Sequence, residues 1–132
     1  MSALYLLASL PLLRFDSPPA LAPEPFLEAC RDQLGAADAA AAEALLHNTP
    51  CGHPYVTAWR DRDTILRNAV ARQRARRTGT EPDPWLRPAQ GCDTFIETLV
   101  EDAFDEPDPL RREKALDLIR WQIAEELQGP DP

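Results

Sequence analysis

The sequence predicts an all-α fold, about five helices in a small bundle with a short apolar N-terminal arm or strand. Three observations carry this. There are 14 prolines in 132 residues, a density that excludes long sheets, because each proline removes a ladder donor and fixes a joint. Apolar residues recur at the 3–4 spacing of one helix face in several windows. The hydrophobic share is 44%, enough to bury a modest core in one helical domain spanning residues 1–132.

The elements follow in order. The apolar opening, Ala3 to Leu13, has no clean period and reads as a short buried strand or a docked arm closed by Pro11. Residues 15–23 form a loop around Asp16-Ser-Pro-Pro19. Glu24 to Leu34 is a first helix: Pro25 suits its first turn, Phe26, Leu27, Cys30 and Leu34 make its stripe, and Gly35 stops it. Ala36 to His47 is a second helix, carried by alanine propensity and sealed by Leu45 and Leu46, and it pairs with the first as a hairpin. Residues 48–54 are a turn-rich break.

Tyr55 to Thr78 is the longest candidate, with Tyr55, Val56, Trp59, Leu66, Ala69 and Val70 on its apolar side and Gly79 at its end. A proline-rich loop, 80–92, follows and contains Trp85. Asp93 to Phe104 is a further helix, with Thr94 and Glu97 spaced as a capping box. The sets Phe95/Leu99/Ala103 and Ile96/Val100/Phe104 supply its buried side. Asp108 as N-cap and Pro109 in the first turn open the last helix, which runs to Gln128 before Gly129. Its stripe is Ala115, Leu118, Ile119, Ile123 and Leu127, widened by Leu116 and Trp121.

Charge is unevenly spread. Acids outnumber bases by 22 to 14, for a net charge of -8, which argues against general nucleic-acid binding. Yet residues 60–77 hold seven arginines against Asp61 and Asp63, a local +5. Residues 93–128 hold eleven acids and four bases, a net of -7. One basic helix thus stands against an acidic C-terminal pair. Those arginines read first as a face that pairs with the acidic helices. They read next as a protein-binding surface, since guanidinium groups grip carboxylates bidentately and arginine and tryptophan are enriched at interfaces.

Catalytic motifs are not apparent. The glycines are isolated, so no phosphate-cradling loop is present, and there is neither a serine elbow nor an HExxH. No catalytic residue and no cofactor is expected. His47, Cys51 and His53, with Cys92, form a cluster whose H-x3-C-x-H spacing matches no common structural zinc pattern. A small metal-binding or redox protein using that cluster is kept as an alternative, and so is an RNA-binding module using Arg72, Arg74, Arg76 and Arg77. No apolar run reaches the ~18 residues of a membrane span. The N-terminus lacks a cationic lead and a cleavage site, so no secretory signal is expected. Three cysteines without regular spacing suit a reducing, cytoplasmic setting.

The run from Trp59 to Gly79 resembles the "D…N-hydrophobic…R-A-x-x-x-G" helix of the central-stalk socket protein of rotary V/A-type ATPases. The matching positions are Asp61 or Asp63, Asn68, Arg74, Ala75 and Gly79. The opening Tyr5-Leu-Leu-Ala-Ser-Leu-Pro-Leu-Leu13, with Phe26-Leu-Glu-Ala-Cys-Arg31, resembles a bacterial family of unknown function encoded beside V/A-type ATPase subunits. The resemblance implies an all-helical protein without a catalytic site. The socket protein is a funnel of several related helical units that couples the rotor stalk to the membrane ring, and 132 residues hold about one of those units. An accessory, assembly or stalk-associated role is therefore implied, with ATPase subunits as partners and any membrane association peripheral. The expected contact residues are Trp59, Arg60, Arg67, Asn68, Arg72, Arg74, Arg76, Arg77 and Trp85.

Overall fold

The computed structural model describes residues 3–89, 91 and 93–128. It is all-helical: α1 Leu4–Ser9, α2 Pro23–Gln33, α3 Ala36–His47, α4 Pro54–Thr78, a 3-10 turn at Asp83–Trp85, α5 Thr94–Phe104 and α6 Pro109–Gln128. No described residue is in a strand. Nor is any described helix long and apolar enough to cross a membrane. Cys92 and Gly129 lie outside the described residues.

The chain divides into two compact units, 1–57 and 58–132, and the division falls within α4. In the first unit α1 packs on α2 and α2 on α3. Its buried side chains are Leu6, Leu27, Cys30, Ala41, Ala44 and Val56. The apolar opening takes one short helix, and the strand alternative is replaced by it. Only Leu6 of α1 is buried, while Leu4, Tyr5 and Leu7 stay exposed. Pro23 opens α2 and Pro54 opens α4, so two prolines expected in breaks instead begin helices, where the missing N–H costs nothing. At the end of α3, Asn48 enters the left-handed region (φ 53°) and Thr49 donates back to the carbonyl of Ala44 at 3.1 Å.

The second unit is built on α4, α5 and α6. Ile65, Leu66, Ala69 and Val70 of α4 share one core with Ile96, Val100, Ala103 and Phe104 of α5 and Leu116, Ile119 and Ile123 of α6. On α5 the two apolar sets part company. Ile96, Val100, Ala103 and Phe104 are buried, whereas Phe95 is 65% exposed. The cap also differs from the expected box. Asp93 is the N-cap, its carboxylate accepting from the N–H groups of Phe95 and Ile96 at 3.1 and 3.2 Å. Glu97 instead reaches across to Arg72 at 2.9 Å. On α6 the expected cap holds, with Leu110 N–H donating to Asp108 at 3.1 Å.

α4 ends where the sequence has glycine. Gly79 adopts φ +69°, a conformation that side chains resist. Thr80 N–H then donates to the carbonyl of Ala75 at 2.9 Å, closing the helix end. The loop beyond is fastened by Asn68, which is 7% exposed. Its amide donates to the carbonyl of Arg87 at 2.8 Å and accepts from the Arg87 N–H at 2.9 Å.

Candidate functional site

Residues 67, 70, 71, 74, 75 and 78 of α4 recur at the spacing that keeps one helical face aligned. In the second unit this face forms one wall of a groove of about 620 Å³. Val70, Ala71 and Ala75 give it an apolar lining, and Arg67 and Arg74 stand on the same wall. Opposite them, α6 contributes Glu113, Leu116 and Arg120, and Thr80 and Trp85 also line the groove. Trp85 is 59% exposed. Its turn is held by its own N–H, which donates to the Pro82 carbonyl at 2.9 Å, and by the Asn68 clamp two residues on.

The groove arginines are ion-paired. Asp63 takes Arg67 at 2.9 Å and Arg120 at 3.4 Å on its two oxygens, and Asp117 takes Arg120 at 3.0 Å. Arg74 meets Glu113 at 3.5 Å, with both side chains more than half exposed. Exposed pairs of this kind are worth about 0–1 kcal/mol, and each guanidinium keeps further donors. At Arg74 an incoming carboxylate can therefore exchange with Glu113 at little cost, whereas Asp63 and Arg120, 19% and 31% exposed, make a more sheltered pair.

The nine residues expected at a contact surface are not all alike. Arg67, Arg74 and Trp85 come together in the groove. Trp59 is half-buried against the core, and Asn68 serves as the loop clamp. Arg72 is paired with Glu97. Arg77 donates to the carbonyl of Phe104 and lies 5.2 Å from that ring's centroid. Arg60 is half-buried and partnered, and Arg76 is exposed on the last turn of α4. Arg120 and Glu113 were missed by sequence reasoning. The available signal was Arg120 as the one base between residues 115 and 128.

The histidine–cysteine cluster belongs to the first unit and resolves into separate contacts. Tyr55 N–H donates to Nδ1 of His53 at 3.1 Å, which leaves the proton on Nε2, 3.0 Å from Asp38. Both ring nitrogens are thus engaged at the start of α4. His47 stands 3.9 Å from Glu24. Cys51 is a half-buried free thiol. Among the described residues no group of three or more His, Cys, Asp or Glu side chains is placed to hold a metal ion, Cys92 lying outside them. Burial pushes the Cys30 thiol above its ordinary pKa, with the neighbouring Arg31 charge pulling weakly the other way.

No family model, no curated protein and no solved structure matches this chain. Fold and site together describe an all-helical protein that carries, among the described residues, an arginine-rimmed groove with an exposed tryptophan.

Proposed function

We propose that this protein is a non-catalytic, cytoplasmic helical interaction protein that works with a bacterial V/A-type ATP synthase in an accessory, assembly or stalk-associated role. The observation that carries the reading is the groove. It sets three arginines and an exposed indole around an apolar lining, the residue types that dominate protein interfaces. Its occupant would be an acidic surface of an ATPase subunit, with Trp85 as the apolar anchor and Arg67, Arg74 and Arg120 gripping carboxylates. The link to the ATPase is supported by the sequence resemblance of the Trp59–Gly79 run and of the N-terminal stretch.

The test is an affinity pull-down with purified rotor-stalk subunits at low and high salt. Retention of a stalk subunit at low salt, weakened as salt rises, is the expected result. Failure to retain any subunit at low salt would overturn the reading.

A further inference from the structure

We infer that the outer face of the α5–α6 hairpin, away from the arginine groove, docks a cationic amphipathic helix of a partner protein. This surface is independent of the groove and of the ATPase reading.

The first ground is apolar surface that the core leaves over. Two adjoining hollows of about 260 and 330 Å³ share Leu99, Ile119 and Gln122. Phe95 lines the first and Leu118 the second, 65% and 40% exposed. Leu118 and Gln122 lie one turn apart on α6, and Phe95 and Leu99 one turn apart on α5, so each helix contributes one row of side chains to the hollows. A trough between two helices is the shape that receives a third helix.

Charge decides which helix. The hollows carry Asp102, Glu106 and Glu126 against Arg111 alone. Glu126 meets Arg62 at 3.5 Å and Arg111 meets Asp108 at 3.7 Å, which leaves Asp102 and Glu106 as the acids without an ion pair among the described residues. Among the described residues the Asp102 carboxylate has no ion-pair partner, and neither have Glu101, Asp105 or Glu125 on the same two-helix segment. Arg62, Arg67, Arg72, Arg74 and Arg120, by contrast, are each paired within the unit. Arg76, Arg77, Arg87, Arg112 and Lys114 of this unit likewise lack an ion pair among the described residues, but none of them lines the hollows, where the unpaired charge, Asp102 and Glu106, is acidic. An apolar trough with an acidic rim complements a helix bearing an apolar stripe flanked by lysines or arginines. The same rim repels anionic lipid.

The experiment titrates a fluorescent Lys/Leu amphipathic peptide of about four turns into the full chain. A Glu/Leu peptide with the same apolar stripe is run beside it. The Lys/Leu peptide is expected to bind at least about tenfold more tightly, with affinity falling as salt rises. Phe95→Asp, an exposed position that leaves the core intact, is expected to weaken it at least about tenfold, as loss of an aromatic anchor does. Asp102→Lys is expected to weaken it as well, and Trp85→Ala to leave it unchanged. Equal binding of both peptides would overturn the inference, and so would indifference to Phe95→Asp. It would also fall if sedimentation showed a dimer abolished by Phe95→Asp, which would make a second copy the occupant, or if anionic vesicles bound more tightly than the peptide.

Discussion

Asn68 and Arg87 exchange two hydrogen bonds, the buried amide of one closing on the backbone N–H and C=O of the other at 2.9 and 2.8 Å. A primary amide can mimic a strand's ladder pairing in this way, because it presents a donor and an acceptor side by side. The consequence is functional as well as structural. The clamp holds the loop that carries Trp85 against α4, and so gives the groove one of its walls.

Replacing Asn68 by Leu should cost about 2 kcal/mol, since both groups of Arg87 lose their partner while the surrounding packing remains. Urea unfolding measures the cost. The same variant should leave Trp85 more accessible to acrylamide, read in a protein where Trp59 and Trp121 are Phe. Unchanged quenching would separate the loop from the clamp.

Two guanidinium groups, those of Arg77 and Arg112, lie over the Phe104 ring, each 5.2 Å from its centroid. Both arginines also serve the end of α5, Arg77 donating to the Phe104 carbonyl and Arg112 to that of Glu106 at 3.1 Å, where the helix dipole favours cations. Arg77→Gln should therefore cost about 1 kcal/mol, and its neighbour Arg76→Gln, exposed, less than about 0.5 kcal/mol. Phe104→Ala should cost roughly 3–5 kcal/mol. Denaturant midpoints of the three variants give the ranking.

Much of this was legible in the sequence, and the boundary is physical. Helix identity depends on local period, caps and breakers, so α3 and α6 fall where alanine content, Asp108 and Pro109 put them. The choice between two stripes on one helix does not. Phe95 and Ile96 are equally apolar neighbours, and only the placement of α4 and α6 decides that Ile96 enters the core. Charge pairing is similarly hidden: Arg72 finds Glu97 across 25 residues and Arg120 finds Asp63 across 57. The +5 run is visible as a surplus facing an acidic C-terminal pair, and Arg62, Arg72 and Arg74 do pair with acids of those helices or their cap, but which residue takes which is not visible. The resemblance positions show the same division. Asp63, Asn68, Ala75 and Gly79 respectively pair two arginines, clamp a loop, fill the lining and end the helix, while Arg74 faces the groove.

Asp93→Ala should destabilise the second unit by about 1 kcal/mol, the usual worth of an N-cap. Asp93 also lies 3.5 Å from Arg62, so Asp93→Asn, which can still cap, separates the two contributions. It should recover most of the loss in thermal unfolding.

The thiols should differ in reactivity. Cys30 is 1% exposed with its pKa raised by burial, while Cys51 is half-buried. Alkylation mapped by mass spectrometry should modify Cys51 well before Cys30, because the thiolate is the reacting form. The sign of the linkage follows. With its folded pKa above the unfolded one, Cys30 keeps its proton longer in the native state, so its contribution is complete at neutral pH and lost as pH rises past the ordinary thiol range. Cys30→Ala should remove that alkaline loss and leave the acid limb of the stability curve unchanged.

The central claim, that the arginine groove receives an ATPase stalk subunit, is tested most directly by comparing wild-type protein with the Arg74→Gln/Trp85→Ala double variant. Both positions are exposed, so the fold should be retained, and circular dichroism checks that it is. Immobilised wild-type protein should retain a purified stalk subunit at low salt, and the double variant should retain at least about tenfold less. Equal retention by the two, or retention by neither, would contradict the account.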